Sequence, residues 1–115
     1  MPEPYQSGVV LISEDPFVAN YLRALLSKRG YQTLGVDAEQ GARKIRDREV
    51  NVDVVITNTP GEFQGLSDQI PVVYVAAAPD MEIASKFRAC RVLRKPFLPE
   101  DILAAVEELI HPLVA

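Results

Sequence analysis

The chain has 115 residues, enough for the core of one domain and not of two. Its net charge of −4 disfavours a surface built for polyanions, so neither nucleic-acid nor membrane binding is expected, and 48% apolar with 24% charged residues excludes a disordered chain. A lone cysteine, Cys90, no apolar run longer than Ile70–Pro79, and a start without the charge and apolar stretch of a secretion signal argue against disulfide-scaffold, membrane-spanning and secreted classes, leaving a cytoplasmic location as the expectation.

Met1–Ser7, with two prolines, reads as a tail, and residues 8–115 as the folded domain. Val9–Ile12 is a short continuous apolar run, the mark of a strand buried on both faces. Asp15-Pro16 supplies a helix cap and a first-turn proline. Phe17, Tyr21, Leu22, Leu25 and Leu26 then recur at helical spacing until Gly30. Tyr31–Val36 is a second strand. Asp37, with Gln40 three residues on, forms the pattern of a capping box for a helix with a thin apolar face, Ala38, Ala42 and Ile45. Gly41 weakens that helix by roughly 1 kcal/mol relative to alanine.

Val52–Thr57 and Val72–Ala76 are the third and fourth strands. The link between Asn58 and Pro71 holds Pro60, Gly61 and Gly65, so it has room for one helical turn, near Leu66–Gln69, and no full helix. Asp80–Ala89 reads as a short helix with Ile83, Ala84 and Phe87 inward, and Arg91–Arg94 as a fifth strand. A last helix runs from Pro99 with Ile102, Leu103, Val106, Leu109 and Ile110 inward, stopped by Pro112. Strands alternating with helices predict a parallel sheet with right-handed crossovers, an α/β sandwich.

Three segments carry a resemblance: Ser13-Glu14-Asp15-Pro16 after the first strand, Asp53–Asn58 followed by Pro60-Gly61, and Lys95-Pro96-Phe97 after the fifth strand. Together they resemble the receiver domain of bacterial two-component response regulators, over roughly Gly8 to Ile110. The resemblance implies a flavodoxin-like, doubly wound five-stranded sheet of order 2-1-3-4-5, here with the third helix short or missing, and a pocket at the carboxyl ends of strands one, three and five.

In that family an aspartate beside Mg2+ accepts a phosphoryl group from a histidine kinase. The metal needs an acid pair after strand one. A hydroxyl after strand four and a lysine after strand five contact the phosphoryl oxygens. Here the acid pair aligns with Ser13 and Glu14, the acceptor with Asn58, the hydroxyl with Ala76 and the switch aromatic with Val92; only Lys95 is retained. A serine hydroxyl is a weak Mg2+ ligand, and an amide has no anionic oxygen to attack phosphorus. Glu14 and Asp15 are the only metal candidates, and no cofactor is expected. With Asn58 neutral, the expected partner of Lys95 is Glu14.

His111 lies in the last helical turn without a ligand cluster, and Cys90 reads as a small buried hydrophobe. No phosphate-binding glycine loop, Ser-His-Asp arrangement or Cys/His metal spacing is present. The expectation is a phosphorylation-independent pseudo-receiver: a non-enzymatic module that binds protein partners in a signalling pathway. The alternative is an atypical receiver that still takes Mg2+ or a small anion and changes shape. Two partner surfaces are expected. One is a groove between the helix opened by Asp37 and the helix opened by Asp80, or an apolar patch there, where Phe63 and Leu66 of the link must stand in for the missing helix. The other pairs basic Arg91 and Arg94 with acidic Glu107 and Glu108 in a weak homodimer.

Overall fold

The continuous apolar runs form strands and the helix-period segments cross between them in the computed structural model, which describes residues 8–111. The tail assigned to Met1–Ser7 and the stop at Pro112 lie outside those residues. The strands β1 (Val9–Ser13), β2 (Thr33–Gly35), β3 (Val52–Thr57), β4 (Val72–Ala76) and β5 (Cys90–Arg94) form one parallel sheet of order β2-β1-β3-β4-β5. The three central strands are covered on both faces, which is why their sequences are nearly all apolar and do not alternate.

Among the described residues four α-helices follow the expected local signals: α1 (Pro16–Lys28), α2 (Ala38–Arg46), α3 (Met81–Ala84) and α4 (Pro99–Ile110). The Asp15 carboxylate accepts from the N–H groups of Phe17 and Val18, each at 3.1 Å, and starts α1. Gly30, in the left-handed region at φ 89°, ends it. Asp37 Oδ1 accepts from Gln40 N–H at 2.8 Å, half of the anticipated capping box. Gly41 has a packing role as well: a Cβ there would stand 3.0 Å from Leu11 Cδ2 and 3.3 Å from Val36 Cγ2, so the missing side chain lets α2 press onto β1.

Strand alternation divides the core. Val10, Ile12, Val54, Ile56, Val73 and Val75 pack under α1 and α4, against Leu22, Leu26, Ile102 and Val106. Leu11, Val55, Val72 and Tyr74 face the other layer, which holds α2, α3 and a 3-10 segment, Pro60–Leu66. That segment lies earlier in the chain than the expected turn at Leu66–Gln69.

The apolar patch anticipated from Phe63 and Leu66 is corrected: Phe63 is 0% and Leu66 3% exposed, and both belong to the core. A 3-10 helix rises about 2 Å per residue against 1.5 Å in an α-helix, so a short stretch reaches across strands a longer α-helix would otherwise cover. α3 is also shorter than the expected Asp80–Ala89, yet Ala84 and Phe87 remain buried.

One polar tie joins the α1–β2 turn to α4. Tyr31 Oη donates to Glu107 Oε1 at 2.9 Å. Burial, and then the Glu107 carboxylate, push the phenol up from 10.0 to about 12. A raised folded-state value means the contribution is complete below pH 10 and is lost as pH rises toward 12. Tyr31→Phe is expected to flatten the loss of stability across that interval, measured by urea unfolding at stepped pH.

Candidate functional site

Register brings three of the expected residues to one end of the sheet. Ser13 pairs with Thr57 across β1 and β3, so Glu14 and Asn58 emerge side by side at the carboxyl end. Ala76 pairs with Arg94, and Lys95 N–H donates to Ala76 C=O at 2.9 Å, which carries the lysine to the same end. The Lys95–Pro96 peptide is cis.

Glu14 is the centre of the cluster. Its side chain is fully buried. Oε1 accepts from Asn58 Nδ2 at 3.0 Å and from the Asp15 N–H at 3.0 Å. The Lys95 ammonium stands 2.8 Å from Oε2, off the line a hydrogen bond needs, so that oxygen is neutralised by an ion pair without a directed donor. The expected Glu14–Lys95 pair is present, and Asn58 serves as a donor to the carboxylate.

Ser13 is buried, and Ala76 and Val92 are half-buried against the α2 and α3 layer. Asp15, the second metal candidate, uses Oδ1 to cap α1. Among the described residues no group of three His, Cys, Asp or Glu side chains is placed to hold a metal. Two features here carried no sequence signal. Thr57 Oγ1 accepts from Thr59 N–H at 2.9 Å and shapes the turn after β3, and Tyr74 Oη accepts from Asp80 N–H at 2.9 Å and ties down the loop after β4.

The charged strips differ from expectation. Arg91 Nε donates to Glu108 Oε1 at 2.7 Å within the same chain. Glu107, expected beside Glu108 on the acidic strip, reaches the α1–β2 turn instead and takes the Tyr31 hydroxyl, because adjacent helical residues point about 100° apart. Arg94 remains exposed. Phe17 and Tyr21, which open the helical-period series of the first helix, are outside the core: Phe17 is 86% exposed, and both line a cavity of about 440 Å3 with Val18, Lys95, Pro96 and Phe97. The first turn of α1 follows the end of β1, and only from Val18 onward does the helix pack on the sheet. Burial pushes the Cys90 thiol above its usual value, as suits a small packed hydrophobe, and His111 lies exposed at the end of α4.

No protein-family model matches the chain, and no curated protein matches its sequence. Solved structures do. A response regulator receiver protein from Sinorhizobium medicae superposes with a TM-score of 0.72 at 18% identity, covering 90% of this chain and 94% of the other. A two-component response regulator from Clostridium difficile gives 0.75 at 15% identity, covering 96% and 100%. The fold is that of response regulator receiver domains. A response regulator receiver domain protein from Clostridium thermocellum, at 0.70, 22% identity and coverage of 89% and 92%, has the same architecture. On the receiver fold, the cluster of Glu14, Asn58 and Lys95 occupies the carboxyl-end position where doubly wound sheets place their ligands. Among the described residues no helix is long and apolar enough to cross a membrane.

Proposed function

We propose that this receiver-fold chain is a pseudo-receiver: a phosphorylation-independent module that binds protein partners in bacterial cytoplasmic signalling and has no catalysis of its own. One observation carries the reading. The pocket's polar groups are already partnered with one another, Asn58 on Oε1 of Glu14 and Lys95 on Oε2. The residue at the acceptor position donates a hydrogen bond and has no anionic oxygen to offer phosphorus. Mg2+ needs several hard oxygens in octahedral array. A single buried carboxylate that already holds an ammonium does not fit it, so no step passes through a metal.

The test is incubation with acetyl phosphate and Mg2+ followed by intact-mass and peptide mapping. The expected result is no phosphoryl adduct on the Asn58 peptide; a mapped adduct would overturn the reading. Asn58→Asp alone is expected to restore little phosphorylation, because Ser13 and Ala76 still lack the carboxylate and the hydroxyl. Titration with Mg2+ and beryllofluoride addresses the alternative, a receiver that takes a metal or small anion: saturable amide shifts at Glu14, Asn58 and Lys95 would favour it.

A further inference from the structure

Among the described residues β5 lies at the edge of the sheet and pairs only with β4. Ala89 C=O accepts from Val72 N–H at 3.0 Å, and Lys95 N–H donates to Ala76 C=O at 2.9 Å. Main-chain groups along a parallel strand alternate in direction, so the odd-numbered residues face β4, and the N–H and C=O groups of Cys90, Val92 and Arg94 face outward. Among the described residues the only group that closes on this edge is the Arg91 guanidinium, whose Nη1 donates to Cys90 C=O at 3.3 Å. The flank is thinly covered as well. α3 ends at Ala84, and Cys90 and Val92 are half-buried where a longer helix would seal them.

The edge is also basic, on a chain whose net charge is −4. Arg91 and Arg94 on the strand are exposed, with Lys86 and Arg88 exposed in the turn that leads into it, and the sequence holds no acidic residue between Glu82 and Glu100; from α4 Glu108 reaches Arg91. Arg91 is paired with Glu108; Lys86, Arg88 and Arg94 have no ion-pair partner among the described residues.

The open main chain sets the form of an occupant and the cations set its composition. We propose that the outer edge of β5 binds an extended acidic segment of a partner protein as an added strand. A second copy is the poorer occupant. Two β5 edges side by side would oppose the arginines of both chains, and like charges across a sheet are destabilising. The charges that blunt β5 against itself complement Asp or Glu on an incoming strand. The proposal names the partner chemistry for the interaction-module reading and rests on it.

The probe is a short fluorescein-labelled peptide of alternating glutamate and valine, titrated against the whole chain at low salt. Its counterpart is the same peptide N-methylated at alternate residues, which keeps the charge and loses the strand donors. Saturable binding is expected, with amide shifts at Cys90, Val92 and Arg94, and weakening as salt rises. N-methylation is expected to weaken it about tenfold or more, and separately the exposed change Arg94→Glu about threefold or more. Equal binding of the N-methylated peptide would overturn strand addition. So would failure to saturate below about 1 mM, a bare encounter affinity. A dimer in sedimentation with those amides protected from exchange would assign the edge to a second copy, against the proposal. A phosphoryl adduct on the chain would sink the pseudo-receiver reading and leave the titration standing, so the two fail separately.

Discussion

Phe63→Ala is expected to lower the unfolding free energy by about 3–5 kcal/mol, a large part of the 5–15 kcal/mol that holds a domain together. Phe63 is fully enclosed between the 3-10 segment and the sheet, among Leu66, Val55, Val72 and Phe87. Truncation removes the transfer energy of the ring and leaves a cavity. The segment above it is anchored at its start by the buried Pro60 and has little freedom to collapse inward. Urea unfolding followed by circular dichroism measures the loss. Phe17→Ala is the control: an exposed ring should change stability by within about 0.5 kcal/mol. A loss below about 1 kcal/mol at Phe63 would mean that the ring is not core and is available to a partner.

Lys95→Met is expected to cost about 2–3 kcal/mol near neutral pH. Removing one partner of a buried ion pair leaves an uncompensated charge, at about 3–5 kcal/mol when both are enclosed. Here Glu14 is enclosed and Lys95 is 29% exposed, so water compensates part of the loss. Asn58→Ala should cost less, about 1 kcal/mol, because that side chain is exposed and a water can replace its N–H on Oε1. Combining Lys95→Met with Glu14→Gln removes the buried charge itself and is expected to recover most of the lysine's loss in a double-mutant cycle. If the double variant is as unstable as Lys95→Met alone, packing of the lysine stem outweighs the ion pair.

Much of the pocket was legible because it depends on order along the chain. Once five strands were placed, the carboxyl ends of the first, third and fifth had to converge, and Glu14, Asn58 and Lys95 sit at those ends. The second surface was less legible. Helical spacing puts Glu107 and Glu108 on neighbouring directions, and which of them meets Arg91 depends on how α4 rotates over the sheet. The same holds for Phe17 and Tyr21: helical period shows which side of α1 is apolar, but not how far the sheet extends beneath it.

By itself the sequence determined the strands, the caps at Asp15 and Asp37, the stop at Gly30, the shortened third crossover and a neutral amide, Asn58, directly after the third strand. Each is a local matter of side-chain period, capping chemistry or residue type. Only the tertiary structure decided that the replacing link seals the core, that Tyr31 holds Glu107, and that Arg48 takes a left-handed conformation, φ 58°, after α2 with no glycine to mark it. Only it decided, too, that among the described residues β5 is left with an open edge. These outcomes depend on contacts between segments far apart in the chain, where closing a layer over buried apolar area, roughly 25 cal/mol for each Å2 removed from water, outweighs local preference.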